Sequence, residues 1–188
     1  SDGFTVGNNN AVNKSAQPTA SWCWKGDGVA GGTLNEDGDI DTQVNVNTTS
    51  GFSIVTYTGD GVDGQTIGHG LSQKPDLIWI YDLTGPWPAA ATAWTWNIGL
   101  SSGAYNTYVT NEAGSLVTNS SEGYFSNMSS TVLTMTEGSS NIDNLNKSGD
   151  RYLMYCWHEI EGYSKFGSYE GNGNVDGPFI YTGFTPAF

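Results

Sequence analysis

The sequence predicts an all-β protein, an antiparallel two-sheet β-sandwich of the jelly-roll or lectin-like kind, and three observations carry that expectation. Nothing in the 188 residues sustains a 3.6-residue apolar period; short apolar or alternating runs are separated by Gly, Asn, Asp and Ser turns. The composition, 26 Gly with 13% aromatic and 13% charged residues, is unlike that of helical chains, which are rich in Ala, Glu, Lys and Leu. Third, the chain repeats itself, so one supersecondary unit is reused.

The repeat is legible residue by residue. Gly51–Leu71, GFSIVTYTGDGVDGQTIGHGL, returns as Gly162–Phe188, GYSKFGSYEGNGNVDGPFIYTGFTPAF. Both run aromatic–Ser (Phe52-Ser53, Tyr163-Ser164), then Tyr57 or Tyr169, then Gly-x-Gly (59–61, 171–173), then Val-Asp-Gly (62–64, 175–177). Gly70-Leu71 before Pro75 corresponds to Gly183-Phe184 before Pro186. A second pair joins Asn13-Lys14-Ser15 and Trp22-Cys23-Trp24 to Asn146-Lys147-Ser148 and Tyr155-Cys156-Trp157, at one constant offset (146 − 13 and 156 − 23 both give 133).

In chain order, Gly3–Val6 is expected as a short strand, Asn8–Asn10 as a turn and Ala20–Lys25 as a strong strand with Trp22 and Trp24 on one face. Residues 26–50 form a polar connection with a strand at Thr42–Val46. Phe52–Thr58 alternates cleanly, and the glycines of 59–64 supply positive-φ turn positions that end it. Asp76–Tyr81, the most apolar run, reads as a central strand buried on both faces. Gly85-Pro86-Trp87-Pro88 must turn, since neither proline donates to a ladder. Ala89–Ile98, Leu116-Val117, Gly123–Phe125, Thr131–Met135 and Tyr152–Ile160 complete the expected strands.

The domain reading is a single β-sandwich over 1–188, or a fragment of a tandem array: 1–50 as the end of a preceding copy plus a polar connection, 51–161 as a full unit, 162–188 as the start of a second copy. A net charge of −13 with six Lys and Arg excludes a phosphate-backbone partner, which needs a concentrated basic surface. No run of about eighteen apolar residues occurs, so membrane insertion is not expected. SDGFTVGNNN has neither the basic nor the apolar region of a signal peptide. Cys23 and Cys156 allow one disulfide, but their equivalent places in two apolar strands favour buried free thiols.

The pieces GFSIVTYTGDG, TIGHGL, KPDLIWI, the Asn-Lys-Ser to Tyr-Cys-Trp strand and, above all, 162–188 resemble a domain of unknown function that recurs in tail fibres and related virion structural proteins of marine tailed bacteriophages. The resemblance covers most of 51–188, with 2–25 similar to the end of a preceding copy. It implies a particle component with no catalytic residues to carry over. Members of that family continue past the Pro-x-Phe motif into another apolar strand, so a segment of a longer tandem polypeptide is expected.

A search for chemistry agrees. Gly162-Tyr-Ser164-Lys-Phe166 has Phe where a nucleophile elbow needs its second Gly. His69 and His158 read as a turn and a strand histidine bonded to backbone. Glu159 and Glu161 would share a strand face, whereas glycosidase carboxylates face each other across a cleft. Asp37, Asp39 and Asp41 lack the glycine and closing Glu of a calcium loop, and the Gly-Asp-Gly and Gly-Asn-Gly turns lack a phosphate loop's Lys, reading instead as tight hairpin turns. No cofactor or metal is expected.

Recognition therefore falls to the seven tryptophans and their neighbours. Trp22, Trp79 and Trp157 sit in apolar strands and read as core. Trp87, Trp94, Trp96, Tyr105 and Tyr108 lie in segment 83–112, for which the shorter repeat has no counterpart; they are the candidate ligand-binding residues, with a second small core as the competing reading for Trp94 and Trp96. The expected function is a non-enzymatic virion protein of a tail fibre or host-recognition appendage, homo-oligomeric, touching other virion subunits and a host-surface glycan at the particle surface. A capsid or tail decoration protein and a secreted carbohydrate-binding module are the alternatives.

Overall fold

The computed structural model describes residues 3–8, 13–19, 21, 23–26, 29–84, 95–97, 107–109, 125–135, 145–167 and 169–186. Ten strands occur in it: β1 Thr33–Asn35, β2 Thr42–Asn47, β3 Phe52–Thr58, β4 Thr66–Gly68, β5 Leu77–Asp82, β6 Thr95–Asn97, β7 Thr107–Val109, β8 Phe125–Met128, β9 Val132–Met135 and β10 Arg151–Trp157. They form a five-stranded sheet of order β1-β2-β3-β10-β5, a three-stranded sheet β4-β9-β8 and a two-stranded ribbon β6-β7. Every pairing is antiparallel. The protein is thus all-β, with sheets of five and three strands arranged as a sandwich.

Period-two alternation decides which side chains meet between the sheets. From the large sheet, Val44, Val55, Tyr57, Ile78, Ile80, Tyr152, Met154 and Cys156 point inward, and Ile67, Phe125, Met128, Leu133 and Met135 of the small sheet meet them in one buried cluster. Burial of each large apolar side chain there contributes roughly 1.5–3 kcal/mol. The rings of Tyr57 and Tyr152 stack at 5.0 Å, and the Tyr57 hydroxyl donates to the Leu145 carbonyl at 2.7 Å. The opposite face of the large sheet carries a second cluster built on Phe52, Leu77 and Trp157, with Ile54, Trp79, Tyr155 and Phe166 against it.

The Gly-x-Gly turn after β3 does not lead into a hairpin partner. It grips the Asn-Lys-Ser turn that precedes β10, 86 residues later. Gly59 N–H donates to Asp150 O at 2.9 Å, Gly149 N–H to Gly59 O at 2.9 Å and Gly61 N–H to Asn146 O at 2.7 Å. The buried Asn146 side chain closes the grip: its Oδ1 accepts from Asp60 N–H at 2.9 Å, and its Nδ2 donates to Asp60 Oδ1 at 2.7 Å and Val62 O at 3.0 Å. A Cβ at Gly59 would collide with the backbone of Asn146 and Lys147, so that position admits only glycine. The two repeated sequences are therefore the two complementary halves of one grip.

Several expected elements differ. The described residues of Gly3–Val6 and of Ala20–Lys25 form no strand; alternation gives a segment the pattern of a strand, but only a neighbour's hydrogen bonds make it one. The polar connection contributes β1 as well as β2, and Thr66–Gly68 forms β4, a strand that the sequence did not announce. β5 is apolar on both faces but sits at the end of the sheet order; β2, β3 and β10 occupy the interior positions. Its outward side chains belong to the second aromatic cluster, which explains a core-like sequence in a strand at the end of the sheet order. Leu116-Val117 and the Gly85–Pro88 turn lie outside the described residues.

Candidate functional site

The candidate binding residues fall on the ribbon β6-β7. Its register sets Thr95 opposite Val109, Trp96 opposite Tyr108 and Asn97 opposite Thr107. Trp96 and Tyr108, twelve positions apart in sequence, are thereby brought to one rung of a two-stranded ribbon, and β6 lies beside β5 of the large sheet. Trp87, Trp94 and Tyr105 lie outside the described residues.

The sequence reading missed a second aromatic group, on the outer face of the large sheet. Trp24 lies against Trp157 at 5.4 Å, Phe52 at 5.9 Å, Trp79 at 6.2 Å and Tyr155 at 6.4 Å, with Trp79 and Trp157 5.0 Å apart edge-on. Edge-to-face and tilted ring pairs at these separations are favourable beyond their buried area. The signal was present in the alternation of Phe52, Ile54, Leu77, Trp79, Tyr155 and Trp157, all one residue out of phase with the core set. Trp79 and Trp157 are partly or wholly buried as expected, but in this outer cluster and not between the sheets.

Groups that resembled catalytic or metal-binding residues are tied into the fold. Glu159 Oε1 accepts from Phe166 N–H at 3.1 Å, its Oε2 pairs with Lys165 Nζ at 3.0 Å, and its own N–H donates to Asp76 Oδ2 at 2.7 Å. Glu159 and Glu161 do not share a strand face, because β10 ends at Trp157 and the chain turns at 161–163. Asp39 Oδ2 accepts from both Thr66 N–H and Thr66 Oγ1, and Asp37 Oδ2 from Asn35 Nδ2 at 2.7 Å. Among the described residues no group of three His, Cys, Asp or Glu side chains could hold a metal ion. An open depression of about 410 Å³ is lined in part by Asp41, Gln43, Thr56 and Arg151.

Both histidines are buried and bonded to backbone. His69 Nδ1 accepts from Leu71 N–H at 3.2 Å, and Nε2 faces Ser129 O at 3.4 Å. Burial pulls its pKa down to about 4, against the opposing pull of the Ser129 carbonyl and Asp37, with His158 adding to the lowering. His158 Nδ1 lies 2.9 Å from Glu159 O.

No disulfide joins the cysteines: Cys156 is buried as expected, but Cys23 is exposed. Cys156 stands opposite Ser53 on β3, and burial pushes its thiol well above the ordinary range, a shift that the Ser53 hydroxyl partly offsets. A maleimide or iodoacetamide should therefore label one thiol per native chain and two in denaturant, since the thiolate is the reactive species. Two thiols labelled at equal rates in native protein would contradict this burial.

Across residues 1–188, through both terminal segments and the unit between them, the chain matches the model of a family described as a domain of unknown function, DUF7483. No curated protein and no solved structure matches it.

Proposed function

The chain belongs to the DUF7483 family, and from that premise we propose a non-enzymatic structural protein of a bacteriophage particle, part of a tail fibre or host-recognition appendage that holds a cell-surface glycan. The observation that carries the reading is the grip between the Gly-x-Gly turn and Asn146, whose two halves recur at opposite ends of the chain. A chain built by reusing one sheet unit presents the same surface many times, and linked copies multiply weak single-site affinity into useful avidity. The resemblance of these segments to marine phage fibre proteins supports the particle setting, with other virion subunits and further copies of the chain as partners. A surface of net charge −13 keeps such an array from self-precipitating.

The glycan would lie on the β6-β7 ribbon, where one rung carries Trp96 and Tyr108. Flat rings with polar neighbours are what a sugar face needs. On a glycan array the chain should retain a sugar, and Trp96→Ala with Tyr108→Ala should reduce that signal by roughly tenfold or more, about 1.4 kcal/mol. Undiminished binding in a Trp87→Ala, Tyr105→Ala, Tyr108→Ala variant would remove this site. Docking on particles with no sugar retained would make the protein a decoration subunit, and release of reducing ends from a polysaccharide would make it an enzyme.

A further inference from the structure

The segments at the two ends hold much of the backbone shape of the halves of the grip, and although Trp24 and Phe166 pack on the outer aromatic cluster, Cys23, Tyr163 and Tyr169, whose equivalents are buried in the central unit, stay exposed. Four glycines of the first half have positive φ, and the equivalents of three of them share it: Gly51 (64°), Gly61 (77°) and Gly70 (73°) are matched by Gly162 (74°), Gly173 (69°) and Gly183 (84°), whereas Gly64 (77°) is not matched by Gly177. Asp60 Oδ1 accepts from the N–H two residues on, at Val62, and Asn172 Oδ1 does the same from Asn174. For the second half, the turn Asp150 N–H to Lys147 O at 3.1 Å is matched by Gln17 N–H to Lys14 O at 3.2 Å. The residue inside that turn has positive φ in both, Gly149 (83°) and Ala16 (61°). Ala16 is the one described non-glycine residue in that region, so the N-terminal turn adopts the shape at a steric disadvantage.

Exposure separates the ends from the middle. Phe52 and Tyr57 are 1% and 4% exposed, whereas their equivalents Tyr163 and Tyr169 are 62% and 70% exposed. Cys156 is buried and its equivalent Cys23 exposed. Beyond the C-terminal Gly-Asn-Gly, Phe179 and Tyr181 are 88% and 76% exposed, a concentration of apolar surface that marks an interaction site. Among the described residues no ladder joins the two ends of one chain, and Ser164 makes a single bridge, to Ile160.

We propose that the C-terminal half-grip of one molecule, Tyr163–Gly173, binds the N-terminal half-grip of a second copy, Asn13–Trp24, rebuilding the β3–β10 pair between molecules. The central register, Phe52 opposite Trp157 and Ser53 opposite Cys156, sets the intermolecular one: Tyr163 opposite Trp24, and Ser164 opposite Cys23. Asn13 then occupies the place of Asn146, turning its amide from Gly7 O, to which it donates at 2.8 Å, toward Asn172. The first half is one residue longer in the C-terminal copy (Ser164 to Gly171 against Ser53 to Gly59), which a β-bulge absorbs. Different surfaces meet at the two ends, so copies add head to tail and the assembly grows as a filament or array instead of closing as a dimer. This inference rests on the repeated backbone and holds whether or not the particle carries a glycan.

The test is a Ser164→Cys variant of the full chain, oxidised with diamide and run on a non-reducing gel. Directly opposite strand positions lie within disulfide reach, so a covalent ladder of dimers, trimers and higher species is expected, and a Cys23→Ala, Ser164→Cys variant should abolish it. The parent chain, with one accessible thiol, stops at dimer. Asn13→Ala, at an exposed position the central unit does not use, should weaken self-association in sedimentation by roughly tenfold while leaving the circular dichroism unchanged. A monomer-mobility product that has consumed both thiols would overturn the proposal in favour of closure within one chain. So would thiols 23 and 164 that stay alkylatable in a chain that sediments as a monomer at every concentration.

Discussion

Asn146→Ala is expected to lower the unfolding free energy by about 3–5 kcal/mol, and Asn13→Ala, the same change at the equivalent position of the repeat, by no more than about 0.5 kcal/mol. The asymmetry follows from what each side chain touches. Asn146 is fully buried and satisfies Asp60 N–H, Asp60 Oδ1 and Val62 O at 2.7–3.0 Å. Alanine would remove three hydrogen bonds, one of them to the Asp60 carboxylate; because Asp60 and Val62 are exposed, their freed groups turn to water, and the cost is the net worth of the bonds, roughly 0.5–1.5 kcal/mol each and about twice that for the charged one. It would also release the turn that positions β10, the strand hydrogen-bonded to both β3 and β5. Asn13 is exposed and donates once, to Gly7 O. Asn146→Asp should be at least as damaging as alanine, since a carboxylate cannot donate to Asp60 and sets like charges together. Urea denaturation of dilute protein measures all three. Equal losses at 13 and 146 would mean that the grip is not what fixes β10.

How much of this was legible in the sequence depended on whether a feature is local. The alternation in Phe52–Thr58 and the apolar run from Leu77 gave β3 and β5 almost to the residue, because period two is written into consecutive side chains. Which faces those strands bury was half legible: the out-of-phase set Phe52, Ile54, Trp79, Tyr155 and Trp157 signalled two apolar faces, but not that Trp24 would cover the outer one. The purpose of Gly59-Asp60-Gly61 was hidden. Glycine spacing reports that a turn is needed, and the hairpin is its commonest use, yet here the partner lies 86 residues on. The described residues of the expected strand at Ala20–Lys25 form none for the same reason. Its residues have strand character and its equivalent forms β10, but pairing is a property of the neighbour, which in the central unit is β3. Of the proposed recognition residues, the pairing of Trp96 with Tyr108 could not be read from a Gly/Ser-rich segment in which several registers fit equally well.

Lowering the pH from 7 to 5 is expected to remove about 2 kcal/mol of stability through His69 alone. Its imidazole has a pKa of about 4 in the fold and the ordinary value of 6.5 when unfolded. Between these values the unfolded chain binds a proton that the folded chain refuses, so protons favour unfolding. The contribution is whole above pH 6.5, falls as the pH drops through the window and is spent below about 4, where it has cost roughly 3 kcal/mol. The cause is burial first: Nδ1 is occupied as an acceptor for Leu71 N–H, and protonation there would set donor against donor. Asp37 and the Ser129 carbonyl pull the other way and keep the shift from being larger, while His158 reinforces it. His69→Gln can still accept from Leu71 N–H but has no proton to gain, so it should lose stability at pH 7 yet show a flatter dependence between pH 6.5 and 5. That window lies above the range in which ordinary carboxylates titrate. Urea midpoints of parent and variant across it separate the effect, and parallel curves would mean that the ring takes up its proton in the fold as readily as in the unfolded chain. Because His69 N–H also donates to Thr131 O at 3.1 Å, between β9 and its turn, the same acid loss should appear first as opening of the small sheet. Amide exchange at β4 and β9 should rise before exchange at β3 and β10.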